Sequence, residues 1–160
     1  MASPSKYTIE EQFRAAVQIL QALPKDRPIS STYAEQLTVY AYFKQATDGC
    51  CIGKQPYWNM IERYKWKSWN MLGEMPQCDA MELYVEAILE KIDYVVENFD
   101  WEEIMTAHMD KHPDLEQVLR EKFRIIGREL IKQDGTREKP APRKRRALPI
   151  ILYHAPPRPL

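Results

Sequence analysis

The amino-acid sequence predicts an all-α protein, and three observations carry that prediction. Apolar residues recur at helical spacing along successive segments, and no stretch alternates as a half-buried strand would. Cap signatures also head several of those segments: Thr8 with Glu11, Thr32 with Glu35, Asn59 with Glu62 and Asp100 with Glu103. At 160 residues the chain fits one domain with an appended tail. A chain of that length buries about two-thirds of its unfolded surface and needs no disulfide or metal staple.

The first helix is expected from Thr8 to Leu23. Phe13, Ala16, Val17, Leu20 and Leu23 form its apolar stripe, and Pro24 stops it. A turn-rich loop with two cations follows, Pro24-Lys25-Asp26-Arg27-Pro28. The second helix opens at Thr32 and closes near Asp48-Gly49. Residues 49–59, punctuated by Gly, Pro and aromatics, read as a long loop crossing the domain. Asn59 starts a third helix that ends at Gly73, and Pro76, as a first-turn proline, opens a fourth to about Asn98. A fifth runs from Asp100 through Lys111. A sixth begins at Pro113, carries Leu115, Val118, Leu119, Phe123, Ile126 and Leu130, and is expected to end at Gly135. The last 25 residues hold six of the twelve prolines and the cluster Arg143-Lys144-Arg145-Arg146, so they are expected to be extended or disordered.

Charge and cysteine content narrow the function. Residues 136–160 hold seven Lys/Arg and one Glu, whereas the first 135 hold sixteen Lys/Arg and twenty-two Asp/Glu. The chain is thus an acidic body with a basic tail, and an acidic body is a poor general nucleic-acid binder, because phosphate contacts dominate that affinity. Three cysteines, Cys50, Cys51 and Cys78, argue against a disulfide framework and read as small residues in a reducing compartment. His108 and His112 share a helical face, but neither they nor His154 sit in a metal-binding motif, so no metal is expected. No signal peptide is visible after Met1 and no apolar run is long enough to span a bilayer, so a soluble, cytoplasmic protein is expected.

Three fragments pair flat aromatic surface with a cation or hydroxyl. In the first, Tyr40-Ala41-Tyr42-Phe43-Lys44-Gln45-Ala46-Thr47, Tyr40 and Lys44 lie one turn apart with Leu37 a turn earlier. Lys44 has two readings: a stem that packs while its ammonium reaches water, or a point charge for phosphate beside a ring that stacks on a base. In the second, Lys65-Trp66-Lys67-Ser68-Trp69, Trp69 reads as core, while Lys65 and Trp66 suit a charged rim over an apolar floor. In the third, Ala80-Met81-Glu82-Leu83-Tyr84, a core tyrosine with a bonded hydroxyl competes with a ligand contact.

Taken in order, these fragments resemble the acyl-CoA-binding protein family. The similarity begins at Phe13-Arg14-Ala15-Ala16 and includes Leu23-Pro24-Lys25-Asp26. It continues through Leu37, the string from Tyr40 to Thr47, Gly49, Pro56, Lys65-Trp66-x-x-Trp69 and Ala80-Met81-x-x-Tyr84-Val85. It covers about residues 7–98, the expected acyl-CoA-binding domain; a helical extension (99–134) and a basic, Pro-rich tail (135–160) would follow. The resemblance implies a four-helix up-down-down-up bundle, with one or two extra C-terminal helices, around a site for long-chain acyl-CoA. Tyr40 would stack on adenine, Lys44 would contact the ribose 3′-phosphate, Lys65 the phosphate region, and Tyr84 the nucleotide. Trp66, Leu37 and Phe13 would border the acyl chain.

There are departures from the family pattern. Phe43 stands where a second tyrosine is common, Gln21 replaces a late basic residue of the first helix, and Val17 occupies a small-residue position beside the adenine. Arg14, Lys25 and Arg27 are the cations able to compensate. The expected pocket holds no Ser-His-acid or Cys-His combination, so reversible carriage of acyl-CoA, not catalysis, is expected, without a cofactor. The alternative is an adaptor that recruits a protein or membrane through the C-terminal extension. A monomer is expected. Arg143–Arg146 permit transient protein or membrane contact and a nuclear or membrane-peripheral fraction.

Overall fold

The structure, a computed structural model, describes residues 5–131, which form six α-helices and no strand. The expectations for Gly135, for the Pro-rich tail with Arg143–Arg146, and for His154 lie outside the described residues.

The helix starts follow from cap chemistry. At α1 (Ile9–Ala22) the Thr8 hydroxyl accepts from the Glu11 backbone N–H, and the Glu11 carboxylate accepts from the Thr8 N–H at 2.8 Å. At α2 (Tyr33–Asp48) Thr32 and Glu35 repeat this reciprocal pair, and Glu35 also lies 3.6 Å from the Lys91 ammonium. Burial alone would raise the Glu35 pKa, but the Thr32 hydrogen bonds and the Lys91 charge hold it below the ordinary value. Asn59 caps α3 (Met60–Asn70) by accepting from the Ile61 and Glu62 N–H groups. Pro76 occupies the cap position of α4 (Gln77–Asn98) without a side-chain bond, and Asp100 caps α5 (Trp101–Lys111). Two of these helices differ in extent from the sequence reading: α3 stops at Asn70, before a turn through Gly73, and α6 (Leu115–Ile125) starts two residues late.

The end of α6 is the main correction. Gly127 adopts φ 73°; its N–H donates to Arg124 O at 3.0 Å, and the Arg128 N–H reaches back to Phe123 O at 2.9 Å. This pair of bonds closes the last carbonyls of the helix, so the chain turns eight residues before Gly135. Leu130 is still buried, though not on the helix, and its carbonyl accepts from Trp101 Nε1 at 2.6 Å.

Helix α4 is the central element: α1 and α2 both pack on it, and α2 also packs on α3. Ile19, Ala41, Tyr42, Leu83, Ile88 and Val95 are among the residues at this junction that meet in the core. The two C-terminal helices close onto the same bundle. α6 lies on α1, with Leu119, Phe123 and Ile126 buried in a core shared with Trp101 and Met105. His108 Nε2 bonds the carbonyl of Ala22 at 2.8 Å, satisfying an open group at the end of α1. Arg128 holds Asp93 of α4 in a two-point ion pair at 2.9 and 2.8 Å, both side chains largely shielded. Leu119, Phe123 and Ile126 of the extension are therefore buried against the bundle, while Val118 of the same helix stays exposed.

Candidate functional site

Helix α2 divides its side chains between two neighbours. Tyr40 and Lys44 reach α3: the Lys65 ammonium lies 5.3 Å over the Tyr40 ring, and the Lys44 ammonium 4.8 Å over the Trp69 ring. Phe43, on the same helix, instead meets α1 and α4. Its ring lies 6.1 Å from Phe13, stacked, and 6.4 Å from Tyr84, while Phe13 meets Tyr84 edge-on at 5.0 Å. The ring at position 43 is thus half-buried among aromatics, where losing the hydroxyl of a tyrosine removes a polar group that would need a partner.

Both cations already have a carboxylate. Lys44 pairs with Asp48 one turn on, which raises the lysine's pKa and lowers the aspartate's. Lys65 pairs with Glu62 at 3.1 Å. All four groups are partly exposed, so these pairs are weak and exchangeable. The Lys44 stem thus packs while its ammonium, resting on the Trp69 face, stays within reach of solvent, as the first reading of this residue expected.

A groove of about 320 Å³ runs along α1, lined by Phe13, Arg14, Val17, Gln18, Gln21 and Phe43. Its size is at the low end for ligand sites. The structure thus gathers Phe13, Arg14, Val17 and Phe43, with Tyr84 behind their rings, and gathers Tyr40, Lys44 and Lys65 at the adjoining α2–α3 face. Leu37 is buried and Trp66 half-buried, and neither lines the groove. Gln18 was missed by sequence reasoning; its position one turn after Arg14 was the available signal. Of the compensating cations, Arg14 is at the groove, whereas Lys25 donates to the carbonyl of Leu20 at 2.6 Å and closes the end of α1.

Two buried polar side-chain atoms stand without a partner among the described residues. Trp66 Nε1 and the Tyr42 hydroxyl are buried and unbonded. Burial, then Glu86 and Glu90, pushes the Tyr42 phenol up. The Tyr84 ring is buried too, and burial pushes its phenol well above the ordinary range, so it remains a protonated donor. Cys51 beside Lys44 is pushed up by burial, with the lysine charge opposing. No three His, Cys, Asp or Glu side chains among the described residues are grouped to hold a metal ion.

The site is held by a clamp that the sequence did not reveal. Gln45 is fully buried; its amide donates to Gly73 O at 3.0 Å and Met75 O at 2.8 Å and accepts from Trp69 Nε1 at 3.1 Å. Trp69 Nε1 also reaches Gly49 O at 2.9 Å. One side chain therefore ties α2 to α3 and to the turn before α4, fixing Lys44 and the Trp69 face beneath it.

The family model for acyl-CoA-binding protein matches residues 10–88. Acyl-CoA-binding protein homolog 3 of Caenorhabditis elegans is 33% identical over 122 residues, covering 76% of this chain and 99% of that protein. The chain belongs to the acyl-CoA-binding protein family. It is also 46% identical over 77 residues, 48% of its length, to human acyl-CoA-binding domain-containing protein 4, of which it spans 29%. A solved acyl-CoA-binding protein of Moniliophthora perniciosa superposes with a TM-score of 0.54 at 33% identity, covering 68% of this chain and 99% of that one. The family likeness and the helical bundle agree with the fold expected from the motifs. Among the described residues no helix is long and apolar enough to cross a membrane.

Proposed function

We propose that this chain binds long-chain acyl-CoA esters reversibly and serves as their carrier and reservoir. The observation that supports this best is the pairing of Lys65 with the Tyr40 ring and Lys44 with the Trp69 ring, on a face that adjoins the α1 groove through Phe43. Acyl-CoA asks for those parts: a flat surface for adenine, cations for phosphates and an apolar channel for the chain. Tyr40 supplies the stacking face, Lys44 and Lys65 exchange Asp48 and Glu62 for phosphate oxygens, and Tyr84 remains a hydroxyl donor. Arg14 offers a further cation where Gln21 has none.

The energetics suit such a ligand. Each buried methylene contributes about 0.8 kcal/mol and each charge-assisted hydrogen bond to phosphate about 1.5–3 kcal/mol. Affinity rises with chain length, and free fatty acid, lacking the nucleotide, binds poorly. The groove presents amides, a guanidinium and rings but no nucleophile paired with a base, which favours protecting the thioester over cleaving it. Native mass spectrometry of the full chain mixed with acyl-CoA tests this reading. One acyl-CoA per chain and no growing free-CoA signal are expected; no complex, or CoA released steadily, overturns it.

A further inference from the structure

The α2–α3 loop carries large apolar side chains into solvent. Trp58 is 92% exposed, Ile52 83% and Tyr57 80%, and the Tyr57 and Trp58 rings contact edge-on at 5.1 Å. Met60 and Ile61, next along the chain at the start of α3, are exposed as well. The same segment carries Lys54, Arg63 and Lys67, exposed and without an ion-pair partner among the described residues. Arg63 and Lys67 flank a shallow cleft of about 100 Å³ with Met60 and Tyr64.

The charge of this segment opposes that of the body. Residues 49–71 hold four Lys/Arg against one Glu, whereas the other residues through 135 hold twelve Lys/Arg against twenty-one Asp/Glu. We infer that this loop and the outer face of α3 form a docking surface for an anionic lipid bilayer, with Tyr57 and Trp58 at headgroup depth and the three cations on lipid phosphates. Tyr and Trp favour that depth because one end of each ring system is apolar and the other wet. Each cation near an anionic surface is worth about fivefold in partitioning, and the acidic remainder turns the molecule so that this face leads.

Other occupants fit less well. A second copy packed on the same patch would bring Lys54, Arg63 and Lys67 against their own equivalents, and the basic residues after 136 are repelled by it. The loop also adjoins the candidate site, because Trp69 bonds Gly49 at its start and Lys65 of α3 covers Tyr40. Bilayer docking would bring that site to the surface where an amphipathic thioester partitions. The docking itself does not depend on the acyl-CoA reading.

Flotation of the full chain with phosphatidylserine–phosphatidylcholine vesicles, without acyl-CoA, tests the inference. The protein should float with mixed vesicles and stay behind with phosphatidylcholine alone. Tyr57→Ser with Trp58→Ser should weaken binding about tenfold or more, and Lys54→Gln with Arg63→Gln and Lys67→Gln on the order of 100-fold. Brominated lipid should quench the wild-type tryptophan fluorescence and have little effect on Trp58→Phe. All five positions are exposed, so circular dichroism should match the wild type. Three results overturn the inference: no binding to mixed vesicles; undiminished binding by the Tyr57/Trp58 variant, which assigns it to the basic C-terminal residues; or a dimer, lost in that variant, in place of vesicle binding.

Discussion

Replacing Gln45 with alanine should unfold this protein well before any surface substitution does. The side chain is fully buried and makes three hydrogen bonds, two donated to the carbonyls of Gly73 and Met75 and one accepted from Trp69. At about 1 kcal/mol net each, with about 0.8 kcal/mol for the buried methylene, the loss comes to roughly 4 kcal/mol. That is a large share of the 5–15 kcal/mol typical of a domain. Trp69 keeps its bond to Gly49, which prevents a larger penalty. At about 3–5 °C per kcal/mol for a domain of this size, Tm should fall by roughly 12–20 °C. Thermal and urea unfolding followed by circular dichroism read this directly. Gln77→Ala is the control: its amide is exposed and its bonds to Ala46 and Thr47 are long, 3.2 and 3.4 Å, so its Tm should barely move. A Gln45→Ala protein melting within about 3 °C of the wild type would refute the clamp.

Three further outcomes follow from particular contacts. Asp48→Asn frees Lys44 from its competing carboxylate and should tighten acyl-CoA binding by about two- to fivefold, with no gain in a Lys44→Ala background, as read by calorimetric double-mutant cycle. Glu35 titrates below its ordinary 4.5 when folded, so its contribution is present above that pH and lost as pH falls through the depressed value. Urea unfolding across acid pH should accordingly show a steeper loss in the wild type than in Glu35→Gln. Trp101→Phe leaves the buried Leu130 carbonyl without its donor, costing about 1–3 kcal/mol, and should speed hydrogen exchange in α5 and α6 more than in α4.

The legible and illegible parts of the chain differ in the range of the interactions that decide them. Helix starts could be read because Thr8 with Glu11 and Thr32 with Glu35 satisfy each other within three residues. The end of α6 could not be read from periodicity, because Leu130 continues the apolar spacing while Gly127 has already turned the backbone. In the candidate site, spacing showed that Tyr40 and Lys44 share a face. It did not show that each would meet α3, that Phe43 would turn toward Phe13, or that Leu37 and Trp66 would lie off the groove. Asp48 is an exception: it stands four residues after Lys44, where an ion pair is expected, and could have been foreseen. Gln45 could not, since its partners are 28 and 30 residues away. Trp58 was read only as loop punctuation, because pattern reasoning places aromatics inside unless the fold exposes them.

Tyr40 and Lys44, with Lys65, are proposed to form a nucleotide site for acyl-CoA. Calorimetric titration of a long-chain acyl-CoA into the wild type, Tyr40→Ala and Lys44→Ala tests it most directly. One saturable site is predicted for the wild type, with affinity at least about tenfold weaker in each variant, the equivalent of one charge-assisted hydrogen bond or one stacked ring. Unchanged affinity in both variants would contradict it.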